Sequence, residues 1–297
     1  MTALSIVIAT RDRATFLERA LESLAAQRDA PPFEVIVADN GSTDATPAVV
    51  ERAATHVPFP LRRIEAGNAN RALARNAGIE VAVGELVLFV DDDVWLPENF
   101  VAAHARAHAS APQRRRAVTG PIVNVPSYEH RPAPTPANFS RAFFCTCNAS
   151  VPRAALREVG GFDERFDLYG WEDTELGLRL REAKLEHVFA WKAFLYHIKP
   201  PEPLENAVRR TVEKAAMAAR LVQKTPGVRT RLATGAYPLN LVRANFAGLL
   251  LPVYAGLASS TRLPEPLVAY ARARLLDGLY VEALARALKD EDPSRPA

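Results

Sequence analysis

The sequence predicts an α/β fold, a central and mostly parallel sheet flanked by helices, with a helical C-terminal appendage. Three observations carry this. Short apolar runs alternate with amphipathic helical stretches through the first half of the 297 residues. The runs LSIVIA, FEVIVA and ELVLFV are apolar on both faces, as strands covered on both sides must be. Beyond Pro203 the periodicity is helical.

Taken in order, LSIVIA (4–9) reads as a buried strand. TFLERALESLAAQ (15–27) places Phe16, Leu17, Ala20, Leu21 and Leu24 on one helical face. FEVIVA (33–38) is a second strand, and Thr46 followed by Pro47 reads as an N-cap and first helical residue. LRRIEA (61–66) is a third strand. NRALARNAGIEVA (70–82) is a helix with Leu73, Ala77 and Val81 inward, leading into the strand ELVLFV (85–90). AVTGPIVNV (117–125) and HVFAWKAFLYHI (187–198) each read as a strand, FFCTCNASVPR (143–153) as a strand and turn, and a helix starts near Glu172. The proline-rich PSYEHRPAPTPANFSR (126–141) holds no regular element; it is a mobile loop over a site or a disordered excursion. Residues 204–224 and 266–289 are helical, Pro200–Pro203 is the boundary, and the tail DEDPSRPA (290–297) is frayed.

Composition excludes several classes. The chain is 48% hydrophobic and 24% charged, which is that of a folded globular protein. The net charge of +3 is carried by scattered arginines, so no nucleic-acid partner is expected. Cys145 and Cys147 stand one residue apart, a spacing for neither a disulfide framework nor a zinc site, and a reducing cytoplasmic setting fits. The opening MTALSIVIATRDR reads as a strand, not a signal peptide. Ala244–Ser260 is the most apolar late stretch, but Asn245 and Pro252 interrupt it and it falls short of the ~20 apolar residues of a spanning helix. It reads first as a buried core helix, with a helix lying on a membrane surface as the alternative.

Ligands of such sheets bind at the carboxyl ends of the strands. There stand Thr10, Arg11 and Asp12; Asp39 to Ser42; and the trio Asp91, Asp92 and Asp93. Clustered carboxylates repel, and a hard divalent cation, Mg²⁺ or Mn²⁺, relieves the conflict. Extended backbone past Val90 would turn Asp91 and Asp93 to one side and Asp92 to the other. The plainer reading is a solvated acidic turn before the next helix. Arg71 and Arg75 are placed to meet a diphosphate, or are surface arginines. Glu172, Asp173 and Glu175 gather at a helix N-terminus, where the dipole favours anions; one is a candidate general base, against plain charge complementarity. His197 ends a strand as a candidate third metal ligand.

Together SIVIATRDRATFLERALESLAAQ, FEVIVADNGSTDAT, ARNAGIEVAVGELVLFVDDDVWLPENF, CTCNASVPRAALREVGGFDERF and GWEDTELGLRL resemble, in order and over roughly residues 3 to 200, the family 2 glycosyltransferases of GT-A fold. That resemblance implies a Rossmann-like donor-binding part over about 1–115, an acceptor and catalytic part over about 116–200, and a helical region over 201–297. It implies an inverting, metal-dependent transfer of a hexosyl group from a nucleotide-diphosphate sugar to a hydroxyl of a glycan, lipid-linked or small-molecule acceptor, in cell-surface glycan or polysaccharide biosynthesis. By the same resemblance Thr10, Arg11, Asp39 and Arg75 hold the donor, and DDDVW is the DXD element. Asp91 and Asp93 then hold the metal and the donor, and Asp92 meets the ribose. Asp173 is the base with Glu172 beside it, His197 is a late metal ligand, and Asn148 and Trp171 line the donor-sugar and acceptor side. The loop ATRDR departs from the family, many members of which have proline and an aromatic residue there. The C-terminal helices match nothing in the resemblance; a homodimer or peripheral contact with the inner face of a membrane are the roles open to them. Rival readings are a nucleotidyltransferase-type enzyme on a related sheet and a non-catalytic nucleotide-sugar-binding protein.

Overall fold

A computed structural model describes residues 3–67, 70–140 and 143–290. The chain forms two compact units. One comprises the residues up to Asp167 together with Glu172–Pro200; the other comprises Leu168–Trp171 and the residues from Pro201 onward.

The first unit opens as strand and helix in alternation: β1 (Leu4–Thr10), α1 (Ala14–Ala25), β2 (Phe33–Asp39), α2 (Thr46–Ala54), β3 (Leu61–Glu65), α3 (Arg71–Val81) and β4 (Leu86–Val90). There follow β5 (Val94–Trp95), α4 (Phe100–Ala109), β6 (Arg116–Thr119), β7 (Ile122–Val125), β8 (Asn148–Pro152), α5 (Arg153–Glu158), α6 (Glu172–Glu182), β9 (Glu186–Phe189) and β10 (Leu195–Ile198). The main sheet has the order β3-β2-β1-β4-β8-β6-β9, parallel except for β8, which runs against both neighbours. Along β1 the side chains alternate: Leu4, Ile6 and Ile8 pack with Leu17, Leu21 and Leu24 of α1, while Val7 packs on the opposite face with Ile79 and Phe89. Burial on both faces is why this strand reads as an unbroken apolar run.

The segments 117–125 and 187–198 are not single strands. Each is broken, into β6 and β7 and into β9 and β10, and the second halves join β5 in a small sheet of order β5-β10-β7. The break has a local cause. A Cβ on Gly120 would lie 1.9 Å from the Ala193 carbonyl oxygen, so only glycine allows the two breaks to meet, and Pro121 has no N–H to offer a ladder.

Two helix expectations are corrected. The sheet-facing side of α3 is Ala72, Ala74, Arg75, Gly78 and Ile79, rotated from Leu73, Ala77 and Val81, which are half-buried. Gly78 sets this rotation, since a Cβ there would fall 2.4 Å from Val7. At α2, Thr46 is the first helical residue rather than the cap. The Asp44 carboxylate accepts from Thr46 N at 2.9 Å and from Ala14 N at 3.0 Å, serving the N-termini of two helices. The described part of the proline-rich segment is no disordered excursion: Phe139 bridges Val123, Ser140 N donates to Ile122 O, and Tyr128 packs on Phe16 and Trp95. Arg141 and the tail beyond Asp290 lie outside the described residues.

The second unit is helical: α7 (Leu204–Lys224), α8 (Val228–Thr234), α9 (Pro238–Ala258) and α10 (Glu265–Asp290). Ala215, Ala218, Ala219 and Val222 of α7 and Leu284 of α10 form its core. The expectation that Ala244–Ser260 is a buried core helix is overturned, since α9 leaves Leu249 75% exposed. Among the described residues no single helix is long and apolar enough to cross a membrane.

Candidate active site

Three strand ends converge in the first unit. Thr10 ends β1 in register with Asp39, which ends β2. β4 delivers Asp91, Asp92 and Asp93, and the chain turns at once into β5. Because β5 pairs antiparallel with β10, with Val94 opposite His197, the imidazole is brought beside Asp93. His197 Nε2 lies 3.0 Å from Asp93 Oδ1, and Nδ1 lies 3.1 Å from Asn124 Oδ1 on β7. The contact of Nδ1 with Asn124 orients the ring so that Nε2 is aimed at the carboxylates.

The trio divides as alternating backbone requires. Donor atoms of Asp91, Asp93 and His197 all lie within 4.8 Å of one another. Asp92 turns away: Thr10 Oγ1 donates to its Oδ2 at 2.7 Å. Burial, then the charge of Asp93, pushes Asp92 up to about 7. Burial also acts to raise Asp93, but the hydrogen bond and charge of His197 and the Arg13 guanidinium outweigh it and hold this carboxyl below the usual range. Arg13 Nη1 reaches Asp93 at 3.2 Å.

A second cluster lies beside the first. Arg75, buried on the sheet side of α3, donates through Nη1 to Glu172 Oε1 and through Nη2 to Asp91 Oδ1, each at 3.1 Å. Burial opposes its charge, but Asp91, Glu172 and Asp173 more than compensate, and it remains a cation. Arg71 Nε stands 3.9 Å from Glu172. Glu172 is buried, and its Oε2 has no hydrogen-bond partner among the described residues. Asp173 is half-buried at the start of α6, and its Oδ1 accepts from Thr174 N at 2.7 Å. Burial, then the neighbouring charge of Glu172, pushes Asp173 up to about 6.

The remaining expected residues are placed as follows. Asp39 is buried and already engaged, by Ser42 N at 2.8 Å and Arg63 Nη1 at 3.0 Å. Arg11 is exposed beside Asp12, and on the same loop Arg13 sends its guanidinium to the trio, as Arg75 does from α3. Asn148 is fully buried and does not line an open surface. Its Nδ2 donates to Pro121 O and Ala193 O, and its Oδ1 meets His104. It therefore ties the two strand breaks to β8, opposite Val90. Trp171 belongs to the second unit, with φ of 72° and its indole N–H donating to Lys214 O.

Sequence reasoning missed Arg13 and Asn124, and set Asn40 at a strand end without giving it a role of its own. Asn40 follows Asp39, is buried, and leaves Oδ1 unpartnered among the described residues. Arg13 and Asn124 carried no local signal, since their partners lie 80 and 73 residues away.

Residues 5–159 match the model of glycosyl transferase family 2, and residues 131–201 match that of the N-terminal domain of galactosyltransferase. Validoxylamine A glucosyltransferase of Streptomyces hygroscopicus subsp. limoneus is 32% identical over 215 residues, covering 60% of this chain and 47% of the relative. The uncharacterized glycosyltransferase YfnE of Bacillus subtilis is 25% identical over 239 residues, covering 61% of each. The chain thus spans about half the length of the validoxylamine A glucosyltransferase it matches. Among solved structures, a mannosyltransferase from Pyrobaculum calidifontis in complex with GDP-Man and Mn²⁺ aligns with a TM-score of 0.66 at 20% identity, over 97% of this chain and 88% of that one. Residues 1–349 of S. aureus TarS in complex with UDP-GlcNAc align with a TM-score of 0.57 at 19% identity, over 99% and 93%. At these identities the likeness is one of fold.

Proposed function

Because the chain belongs to glycosyl transferase family 2 and has the GT-A fold, we propose that it moves a hexosyl group from a nucleotide-diphosphate sugar to an acceptor hydroxyl, with inversion and with a divalent metal. The observation that carries this reading is the meeting of Asp91, Asp93 and His197 within 4.8 Å, beside a buried carboxylate oxygen of Glu172 that has no partner among the described residues. Two carboxylates and an imidazole suit Mn²⁺ or Mg²⁺. The complexes of fold relatives with GDP-Man and Mn²⁺ and with UDP-GlcNAc support a nucleotide-sugar donor. Bound there, the metal would stabilise charge on the departing diphosphate as a Lewis acid.

The chain's own residues divide the remaining work. Thr10, Asp39 and Asn40 border the donor's nucleoside, and Arg11 and Arg13 lie on the following loop. Asn40 Oδ1, buried and without a partner among the described residues, offers the donor a hydrogen-bond acceptor. Arg75 fixes Asp91 and Glu172 by one guanidinium, and so sets the spacing between the trio and the start of α6. Asp173 takes the proton of the attacking acceptor hydroxyl. Its pKa, raised to about 6, makes it a stronger base than an ordinary aspartate while leaving it mostly ionised at neutral pH. Displacement at the anomeric carbon then proceeds from the face opposite the diphosphate. Residues 1–115 serve the donor and 116–200 the acceptor, and the product enters a cell-surface glycan or polysaccharide.

The test is Asp173→Asn. Donor binding, read by thermal shift with nucleotide sugars and Mn²⁺, is expected to persist while turnover falls by about 10²–10⁴-fold. Unchanged turnover removes Asp173 from the chemistry.

A further inference from the structure

On α9, Leu239, Val242, Phe246, Leu249, Val253 and Leu257 are between 40% and 78% exposed. Their spacings of three, four, three, four and four residues place them on one side of the helix. The core of the unit lies on the other side, where Ala244 and Ala258 are buried and Leu251 packs against Gly278 of α10. A continuous apolar stripe of this kind marks an interaction surface, since soluble monomers rarely leave one.

Charge decides what covers it. From Lys214 to Pro264 the chain carries seven Lys or Arg and no Asp or Glu. Arg229 and Arg231 on α8 and Arg262 after α9 are exposed, and Val228 and Leu232 of α8 add exposed apolar surface beside them. The acidic residues of α10 near α9, Asp277 and Glu282, are paired with Arg243 and Arg286. A second copy laid on this face would set like charge against like. A lipid surface bearing anionic headgroups complements both features, with the headgroups meeting the arginines and the acyl boundary taking the stripe.

We propose that α8 and α9 dock this protein on an anionic membrane surface, lying in the interface plane rather than crossing it. The inference rests on the second unit alone and stands whether or not the transferase reading does.

The full chain is sedimented with vesicles of phosphatidylcholine alone and of equimolar phosphatidylcholine and phosphatidylglycerol. Binding is expected on the anionic vesicles, weakening as salt rises. Phe246→Glu with Leu249→Glu should lower the partition coefficient by about tenfold or more. Both positions are exposed, and unchanged circular dichroism confirms the fold. Arg229→Glu with Arg231→Glu should reduce the preference for anionic over neutral vesicles. Absence of binding, equal binding to both vesicle types, or wild-type binding by the apolar-face variant overturns the proposal. So does a dimer in light scattering that the apolar-face variant abolishes while wild type ignores vesicles, which would assign the face to a second copy.

Discussion

Two histidines that no ligand need touch should govern how this protein responds to acid. Asn148 spends its N–H groups on Pro121 O at 3.2 Å and Ala193 O at 2.9 Å, so its Oδ1 must accept from His104 Nε2, 2.9 Å away. His104 Nδ1 then accepts from the Ser150 hydroxyl at 2.8 Å, and Ser150 Oγ accepts from His108 Nε2 at 2.8 Å. With both rings neutral, every donor and acceptor in this chain is satisfied. Burial accordingly lowers His104 to about 3 and His108 to about 4, from an ordinary 6.5.

The folded pKa values lie below the unfolded ones, so between about pH 6.5 and 4 the unfolded chain binds more protons. Stability from these groups is complete above pH 6.5 and is lost as pH falls, at about 1.4 kcal/mol per pH unit for each histidine. From pH 7 to pH 5 that amounts to about 2 kcal/mol each, or about 4 kcal/mol together. Asp92 and Asp173, with folded values of about 7 and 6, act in the opposite sense, because the folded chain takes up their protons first as pH falls. The net slope of the wild type is therefore shallow, and the histidine contribution must be read by difference. In a His104→Gln, His108→Gln variant the amide at 104 can still donate to Asn148 and accept from Ser150. Urea unfolding at pH 7 and pH 5 should show the variant losing about 4 kcal/mol less than wild type over that interval. Equal pH dependence of the two proteins would refute the neutral-ring assignment and the hydrogen-bond order derived from it.

Two further outcomes are expected. Asp93→Ala removes the carboxylate that meets both Arg13 and His197, so Mn²⁺ binding by calorimetry should be lost; undiminished affinity excludes Asp93 as a ligand. Arg75→Met leaves Asp91 and Glu172 without their shared cation and should cost about 3–5 kcal/mol, read as a lowered Tm at pH 7.

What the sequence displays and what it conceals follow from one physical distinction. Strands buried on both faces, such as β1 and β4, announce themselves because each residue answers to bulk apolar surroundings. The acidic trio is visible for the opposite reason, three charges directly after such a run. Pairwise fits leave no periodic trace. Gly120 is glycine on account of a carbonyl 73 positions later, and the same contact splits two segments that each read as one strand. Asn148 looks like a surface amide at the mouth of a site, yet every polar atom of its side chain is engaged in the interior. Arg75 is the most instructive case. It stands among Ala72, Ala74 and Gly78, small residues that let α3 approach the sheet until a Cβ on Gly78 would touch Val7. An arginine on so close a face cannot reach water and cannot shed its proton, so it is tenable only where carboxylates meet it. An Arg set in a small-residue stripe, before a strand that ends in aspartates, therefore implies both its own burial and an anionic cluster at that strand's end. That inference was available from residues 71 to 93, and the apolar periodicity drawn through Leu73, Ala77 and Val81 obscured it.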